Sequence, residues 1–175
     1  MNNDLVLNTG NDLTICEGEK IALPATSNGT GFKWTQARTL NDAGILNPVA
    51  SPVITTKYDV TATLGICTII GSVSVNVNPA PVANAGEAVT ICYGKDTMLK
   101  GSGGLVYQWS PTTYLNNAGG QTPVVKKKKN TITYSLVVKD NKGCASLNNA
   151  SVKVNVTQPA KVFAGNDTAI ILNQP

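Results

Sequence analysis

Apolar and polar residues alternate over several short stretches of the chain. Val73, Val75 and Val77 are interleaved with Ser74, Asn76 and Asn78. Tyr58, Val60 and Ala62 alternate with Asp59, Thr61 and Thr63, and Tyr134, Leu136 and Val138 repeat the pattern further on. A period of two buries one face of a strand and wets the other. β-branched residues dominate, and Gly, Asn and Pro punctuate at short intervals. No amphipathic helical stretch of useful length occurs. The pattern predicts about seven short strands in each stretch of roughly 75 residues, an antiparallel β-sandwich.

The pattern occurs twice. Thr14-Ile15-Cys16-Glu17-Gly18 returns as Thr90-Ile91-Cys92-Tyr93-Gly94. Phe32-Lys33-Trp34 returns as Tyr107-Gln108-Trp109, and Leu40-Asn41-Asp42-Ala43-Gly44 as Leu115-Asn116-Asn117-Ala118-Gly119. Pro48-Val49 matches Pro123-Val124, Cys67 matches Cys144, and Val73–Val77 matches Val152–Val156. The shared order of so many features points to an internal duplication. The expected division is a first repeat over 1–79, a second over 80–158, and a linker with the opening strand of a third over 159–175. Gly165-Asn166-Asp167 repeats Gly10-Asn11-Asp12, with Ile171 at the cysteine position. The chain is thus expected to be a segment of a longer array. Its last strand, 163–172, would pack on the second repeat or pair with a neighbouring molecule. Asn78-Pro79-Ala80-Pro81 and Gln158-Pro159-Ala160 mark the joints as short, fairly stiff linkers.

Trp34 and Trp109 are expected at the centres of the two cores, with Phe32 and Tyr107 on the same face; a sugar-stacking platform is the alternative. Each repeat holds one cysteine near its start and one before its last strand. One pair per repeat reads as one intradomain disulfide each, Cys16–Cys67 and Cys92–Cys144. Such bridges belong to an oxidising compartment, so the chain is expected to be extracellular or on a cell surface. Zinc is a poor alternative, because the chain has neither a CxxC pair nor a histidine.

Composition removes several functions. With 0 histidines, catalytic triads built on imidazole and His-ligated metals are absent. Charged residues make up only 14%, and the net charge of +4 is owed to one run, Lys126, Lys127, Lys128 and Lys129. A charge so localised argues against nucleic-acid binding. No stretch approaches the length of a membrane-spanning helix. The polar start, Met1-Asn2-Asn3-Asp4, has no signal-peptide core, so an exported chain would have its leader elsewhere.

These motifs in this order resemble the PKD-like and Ig-like tandem repeats of large Bacteroidota cell-surface and secreted proteins, including gliding-motility adhesin-type proteins. The carrying residues are Gly10-Asn11-Asp12-Leu13-Thr14-Ile15-Cys16, Trp109-Ser110-Pro111, Asn47-Pro48-Val49, Thr55-Thr56-Lys57-Tyr58-Asp59-Val60 and Asp140-Asn141-Lys142-Gly143-Cys144. Trp34-Thr35-Gln36, Leu64-Gly65-Ile66-Cys67 and Glu87-Ala88 depart from the pattern. The resemblance implies two tandem Ig-like/PKD-like sandwiches in a stalk or spacer, exported by the type IX secretion route.

The expected function is therefore non-catalytic, with neighbouring repeats of the same chain as partners. A polysaccharide- or surface-binding module is the alternative, with contacts from Lys126–Lys129, Tyr93 and Tyr114. A self-assembling fibre subunit is the second alternative. The four lysines read first as a solvated edge that blocks stray sheet pairing, with contact to an acidic polysaccharide or other anionic surface second. None of the 10 acidic residues forms a tight motif, and Glu17, Glu19 and Asp96 fall in turns. No cofactor is expected, with calcium as the one candidate: Asp12 first, then Asp42 and Asp140, beside Asn and Gly in loops.

Overall fold

In the computed structural model, residues 4–160, 162 and 165 are described. The expected third-repeat strand, 163–172, lies outside them except for Gly165. The described chain is all-β apart from one 3-10 turn, Ala37–Thr39. The first half holds β1 (Leu7–Asn8), β2 (Leu13–Cys16), β3 (Ile21–Ala22), β4 (Thr26–Ser27), β5 (Gly31–Trp34), β6 (Val49–Ala50), β7 (Thr56–Leu64) and β8 (Cys67–Asn78). The second holds β9 (Val89–Cys92), β10 (Thr97–Met98), β11 (Val106–Ser110), β12 (Val124–Val125), β13 (Ile132–Lys139) and β14 (Ala150–Thr157).

Two four-stranded sheets carry the architecture, ordered β2-β8-β7-β5 and β9-β14-β13-β11. Small ladders, β1 with β4, β3 with β6 and β10 with β12, supply further pairings. The main sheets are mixed, which corrects the expectation of antiparallel strands throughout. Opening strand β2 runs parallel to closing strand β8, pairing Leu13 with Val75 and Cys16 with Asn78. β9 pairs with β14 in the same sense, Val89 with Val154 and Cys92 with Thr157. The remaining main pairs are antiparallel.

Two apolar clusters fill the halves. One gathers Ile15, Leu23, Trp34, Tyr58, Val60, Val73 and Val75, the other Leu99, Trp109, Val125, Tyr134, Leu136, Val138, Val152 and Val154. Tyr58 and Val60, Val73 and Val75, Tyr134, Leu136 and Val138, and Val152 and Val154 are each one alternation phase of their strand, so the period of two is realised as a buried face. The tryptophans are core, and each indole N–H donates to a backbone carbonyl: Trp34 Nε1 to Ile45 O at 2.9 Å, Trp109 Nε1 to Gly120 O at 3.0 Å. Phe32 and Tyr107 are half-buried.

The duplicated motifs hold duplicated hydrogen bonds. Asn41 Oδ1 accepts from Val49 N at 2.6 Å, and Asn116 Oδ1 from Val124 N at 2.7 Å. Asp42 and Asn117 each accept from the glycine two residues on. Thr55 and Thr131 hydroxyls accept from Val77 N and Val156 N. The recurrent Asn-Asp/Asn-Ala-Gly and Thr-x-x-Tyr segments are therefore backbone clamps, using side chains that suit turns.

The buried tyrosines differ in their partners. Tyr58 OH meets Thr39 Oγ1 at 2.8 Å, whereas Tyr134 OH donates to Thr113 O at 2.8 Å. Tyr134→Phe leaves that carbonyl unpaired and should cost about 1 kcal/mol in urea unfolding. Burial first, and the neighbouring Tyr114 phenol second, push Tyr134 above the ordinary tyrosine range. The unfolded chain then loses this proton at lower pH than the folded one. This contribution is complete below about pH 10 and is lost as pH rises toward the folded value. Tyr134→Phe should flatten the corresponding part of the alkaline stability loss.

Candidate functional site

The parallel pairing decides the cysteine chemistry. Cys16 ends β2 beside Asn78, the last residue of β8, while Cys67 is the first of that 12-residue strand. At about 3.3 Å per residue they stand roughly 35 Å apart. A disulfide requires Cα atoms within about 7 Å. The expected Cys16–Cys67 bridge is thus excluded by strand direction, and Cys92–Cys144 fails for the same reason. Each half instead carries one cysteine at each pole.

The bridge that forms is Cys16–Cys144, with Cα atoms 5.4 Å apart and a sequence separation of 128. It joins the far pole of the first half to the near pole of the second. Cys67 and Cys92 are free and exposed.

Local structure presents both bridged sulfurs. After β2 the chain turns at Gly18, where φ is +87°, and Glu19 N donates to Cys16 O at 3.0 Å. Glu19 Oε2 accepts from Cys16 N at 2.8 Å. On the other side, Asp140 Oδ1 accepts from both Lys142 N and Cys144 N at 2.9 Å. The Asp-x-x-Gly-Cys motif is thus a turn whose acid fixes the cysteine backbone. Asp140 serves there, and Asp42 caps its own turn. Asp12 Oδ1 accepts from Ser74 N at 2.8 Å, pinning the opening strand to the closing one. Among the described residues no three His, Cys, Asp or Glu side chains gather as a metal site.

Further contacts cross the same junction. Glu17 Oε2 accepts from Ala80 N at 3.1 Å, and Lys142 Nζ donates to Asn78 Oδ1 at 2.7 Å. Leu147 lies over Gly18, whose missing β-carbon would meet Leu147 Cδ2 at 2.7 Å. A crevice of about 250 Å³ lies between Glu17, the Ala80–Ala83 linker and Leu147–Ala150. Sequence reasoning placed Glu17 and Glu19 in solvated turns and passed over Leu147. Glu17 could not have been found by comparing repeats, because Tyr93 stands at its position.

The lysine run does not form one face. Lys126, Lys127 and Lys129 are exposed, but Lys128 is 4% exposed. Lys127 takes a φ of +45°, and its N–H donates to Asp96 Oδ1 at 2.6 Å. The next side chain therefore turns inward, and Lys128 Nζ sits 4.1 Å from the centre of the Tyr114 ring. Burial lowers the Lys128 ammonium below the ordinary lysine range. The structure thus joins Tyr114 to Lys128, and ties Lys128 O to Gly94 N, next to exposed Tyr93. Lys128→Ala should cost about 1 kcal/mol in urea unfolding through the lost ring contact and stem packing. Lys126→Ala should stay within about 0.5 kcal/mol.

A groove of about 450 Å³ runs along Ala85–Val89 and Met98–Lys100. Its charged side chains are Glu87 and Lys100, so it lacks a carboxylate pair for acid–base work. No described helix is long and apolar enough to cross a membrane.

No family model matches the chain, and no curated protein matches it. It is similar to several solved multidomain structures. The titin domains z1z2 in complex with telethonin share 12% identity at a TM-score of 0.38, over 89% of this chain and 98% of that one. Drosophila OTK extracellular domains 3–5 share 13% at 0.36, over 90% and 67%. The N-terminal eight Ig domains of Down Syndrome Cell Adhesion Molecule share 16% at 0.37, over 89% and 28%.

Proposed function

We propose that the chain is a non-catalytic spacer: two tandem β-sandwich domains, 1–79 and 80–158, held in fixed relation by a disulfide between them. The observation that carries this reading is the Cys16–Cys144 bridge. A bridge within a domain stabilises that domain alone. A bridge between domains restricts their mutual motion, which matters to a part whose work is reach and stiffness. Glu17, Lys142 and Leu147 act on the same junction.

A permanent disulfide also supports an extracellular or cell-surface location. The duplicated motifs support a place in a Bacteroidota surface protein of the gliding-motility adhesin type, exported by the type IX route. The adhesive or catalytic parts of such a protein would lie outside this chain.

The test is small-angle scattering on the oxidised Cys67→Ser/Cys92→Ser protein and on the same protein with Cys16→Ser/Cys144→Ser added, with peptide mapping of the wild-type chain under non-reducing conditions. The reading expects a Cys16–Cys144 peptide, one narrow distribution of dimensions for the oxidised protein, and a broad one for the variant. A broad distribution of dimensions for the bridged protein would overturn the spacer reading.

A further inference from the structure

The two free cysteines occupy the positions that are bridged at the junction. After β9 the turn repeats the one after β2: Tyr93 N donates to Thr157 O at 3.0 Å as Glu17 N does to Asn78 O at 2.8 Å, and Lys95 N to Cys92 O at 3.1 Å as Glu19 N does to Cys16 O at 3.0 Å. Cys92 is thus presented as Cys16 is. At the other pole, Cys67 pairs with Leu64 across the β7–β8 hairpin, and Asp140 N donates to Cys144 O across the matching turn. One half-bridge of each kind stands open, at opposite ends of the molecule.

The apolar contact beside the bridge is open at both ends as well. Ser146 N donates to Val138 O, and Ile69 pairs with Ala62, so the ladder register makes Ile70 the counterpart of Leu147. Leu147 covers Gly18, whereas Ile70 is 71% exposed and Gly94 has φ +74° and open space where a β-carbon would stand. Ile66, at the hairpin tip beside Cys67, is fully exposed. A knob and a socket of one contact are therefore displayed at the two poles, each next to a free thiol.

We propose that a second copy of this chain docks head to tail, with Cys92 of one copy bridged to Cys67 of the next and Ile70 seated over Gly94. This rests on the spacer reading above, since it repeats the Cys16–Cys144 junction between molecules. The contact joins unlike surfaces and so propagates into a linear strand unless a rotation closes it. Tyr93 replaces Glu17, and Gly65 stands two residues before Cys67 where Lys142 stands before Cys144, so both polar contacts of the inner junction are absent from the outer one. The bridge and the apolar seat carry it. The oxidant is a small disulfide such as oxidised glutathione. The Cys92 thiolate attacks one of its sulfurs and releases one glutathione thiolate. The Cys67 thiolate of the second copy then attacks the mixed disulfide at the Cys92 sulfur and releases the other. Two protein thiols have been oxidised and one small disulfide reduced to two thiols, which take up the two protons that the protein thiols gave up.

The experiment incubates the 175-residue chain in a glutathione redox buffer and resolves the products by non-reducing electrophoresis and mass spectrometry. The wild type should give a ladder. Cys67→Ser alone and Cys92→Ser alone should stay monomeric, and their mixture should give one dimer with a Cys92–Cys67 peptide. Adding Ile70→Ser to the partner that supplies Cys67 should weaken dimer formation about tenfold, the share of one buried aliphatic side chain. Dimers of either single variant by itself would overturn the proposal. So would a monomeric mixture, or an Ile70→Ser partner that couples at full strength. Failure with the Cys16–Cys144 peptide intact overturns the head-to-tail strand and leaves the spacer reading standing. A Cys16–Cys67 peptide overturns both.

Discussion

Trp109→Ala is expected to destabilise the second half by about 3–5 kcal/mol, the usual cost of emptying a buried tryptophan site. Trp109 is 1% exposed and stands on β11 opposite Leu136 of β13. Around it pack Leu99, Val125, Tyr134 and Val152, with Gly101 close enough that a β-carbon would meet the indole Cζ2 at 3.0 Å. β13 and β14, each paired on both sides, cannot move in to fill the void. Gly120 O, in a part-buried hydrogen bond, would also lose its donor, and an acceptor left unpaired adds a cost of its own. A half of this size has only roughly 4–11 kcal/mol to lose, on ordinary per-residue stability. In the Cys16→Ser/Cys144→Ser background, where the bridge no longer ties the halves, the substitution should therefore unfold the second half at low urea while leaving the first half folded. Trp34 remains as a fluorescent reporter of the first half, so the measurement is urea unfolding followed by both fluorescence and circular dichroism. The expected result is an early dichroism transition without a fluorescence counterpart. A loss below about 1 kcal/mol would remove Trp109 from the centre of the core.

Much of this was legible in the chain, and the rest was not for a definite reason. The alternation of Tyr58, Val60 and Ala62 fixed which face of β7 is buried, because a period of two admits only one buried face per strand. The paired Leu-Asn-x-Ala-Gly segments located the same clamp in both halves, since Asn41 and Asn116 do the same work on the same backbone position. The cysteine partners were not legible. Spacing of 51 and 52 residues is blind to strand direction, and a parallel opening strand sends its last residue to the opposite pole. An own-repeat bridge and a next-repeat bridge leave the same sequence pattern. The lysine run misled in a similar way. Four equal side chains read as one surface, yet a single left-handed residue, Lys127, turns Lys128 into the protein.

Removing the central bridge with Cys16→Ser/Cys144→Ser should lower the stability of the oxidised protein by as much as about 5 kcal/mol, from the chain entropy released by opening a loop of 128 residues. The form of the loss distinguishes this bridge from one confined to a single domain. Neither apolar cluster includes Cys16 or Cys144, so each half keeps its core and its hydrogen bonds. What the variant loses is the tie between them. The remaining contacts are the Glu17 and Lys142 hydrogen bonds and the Leu147 seat on Gly18. The Lys142 bond is exposed and the Glu17 bond part-buried, and the net contribution of such bonds is small, about 1 kcal/mol each. Unfolding that is joint in the oxidised protein should then separate into two transitions, one for each half. Differential scanning calorimetry on both proteins, with Cys67 and Cys92 replaced by serine to prevent exchange, reads this directly. Two resolved transitions in the variant against one in the parent would confirm that the bridge couples the halves. Identical single transitions would mean that the halves are coupled without it, through the linker, the Glu17 and Lys142 hydrogen bonds and the Leu147 seat.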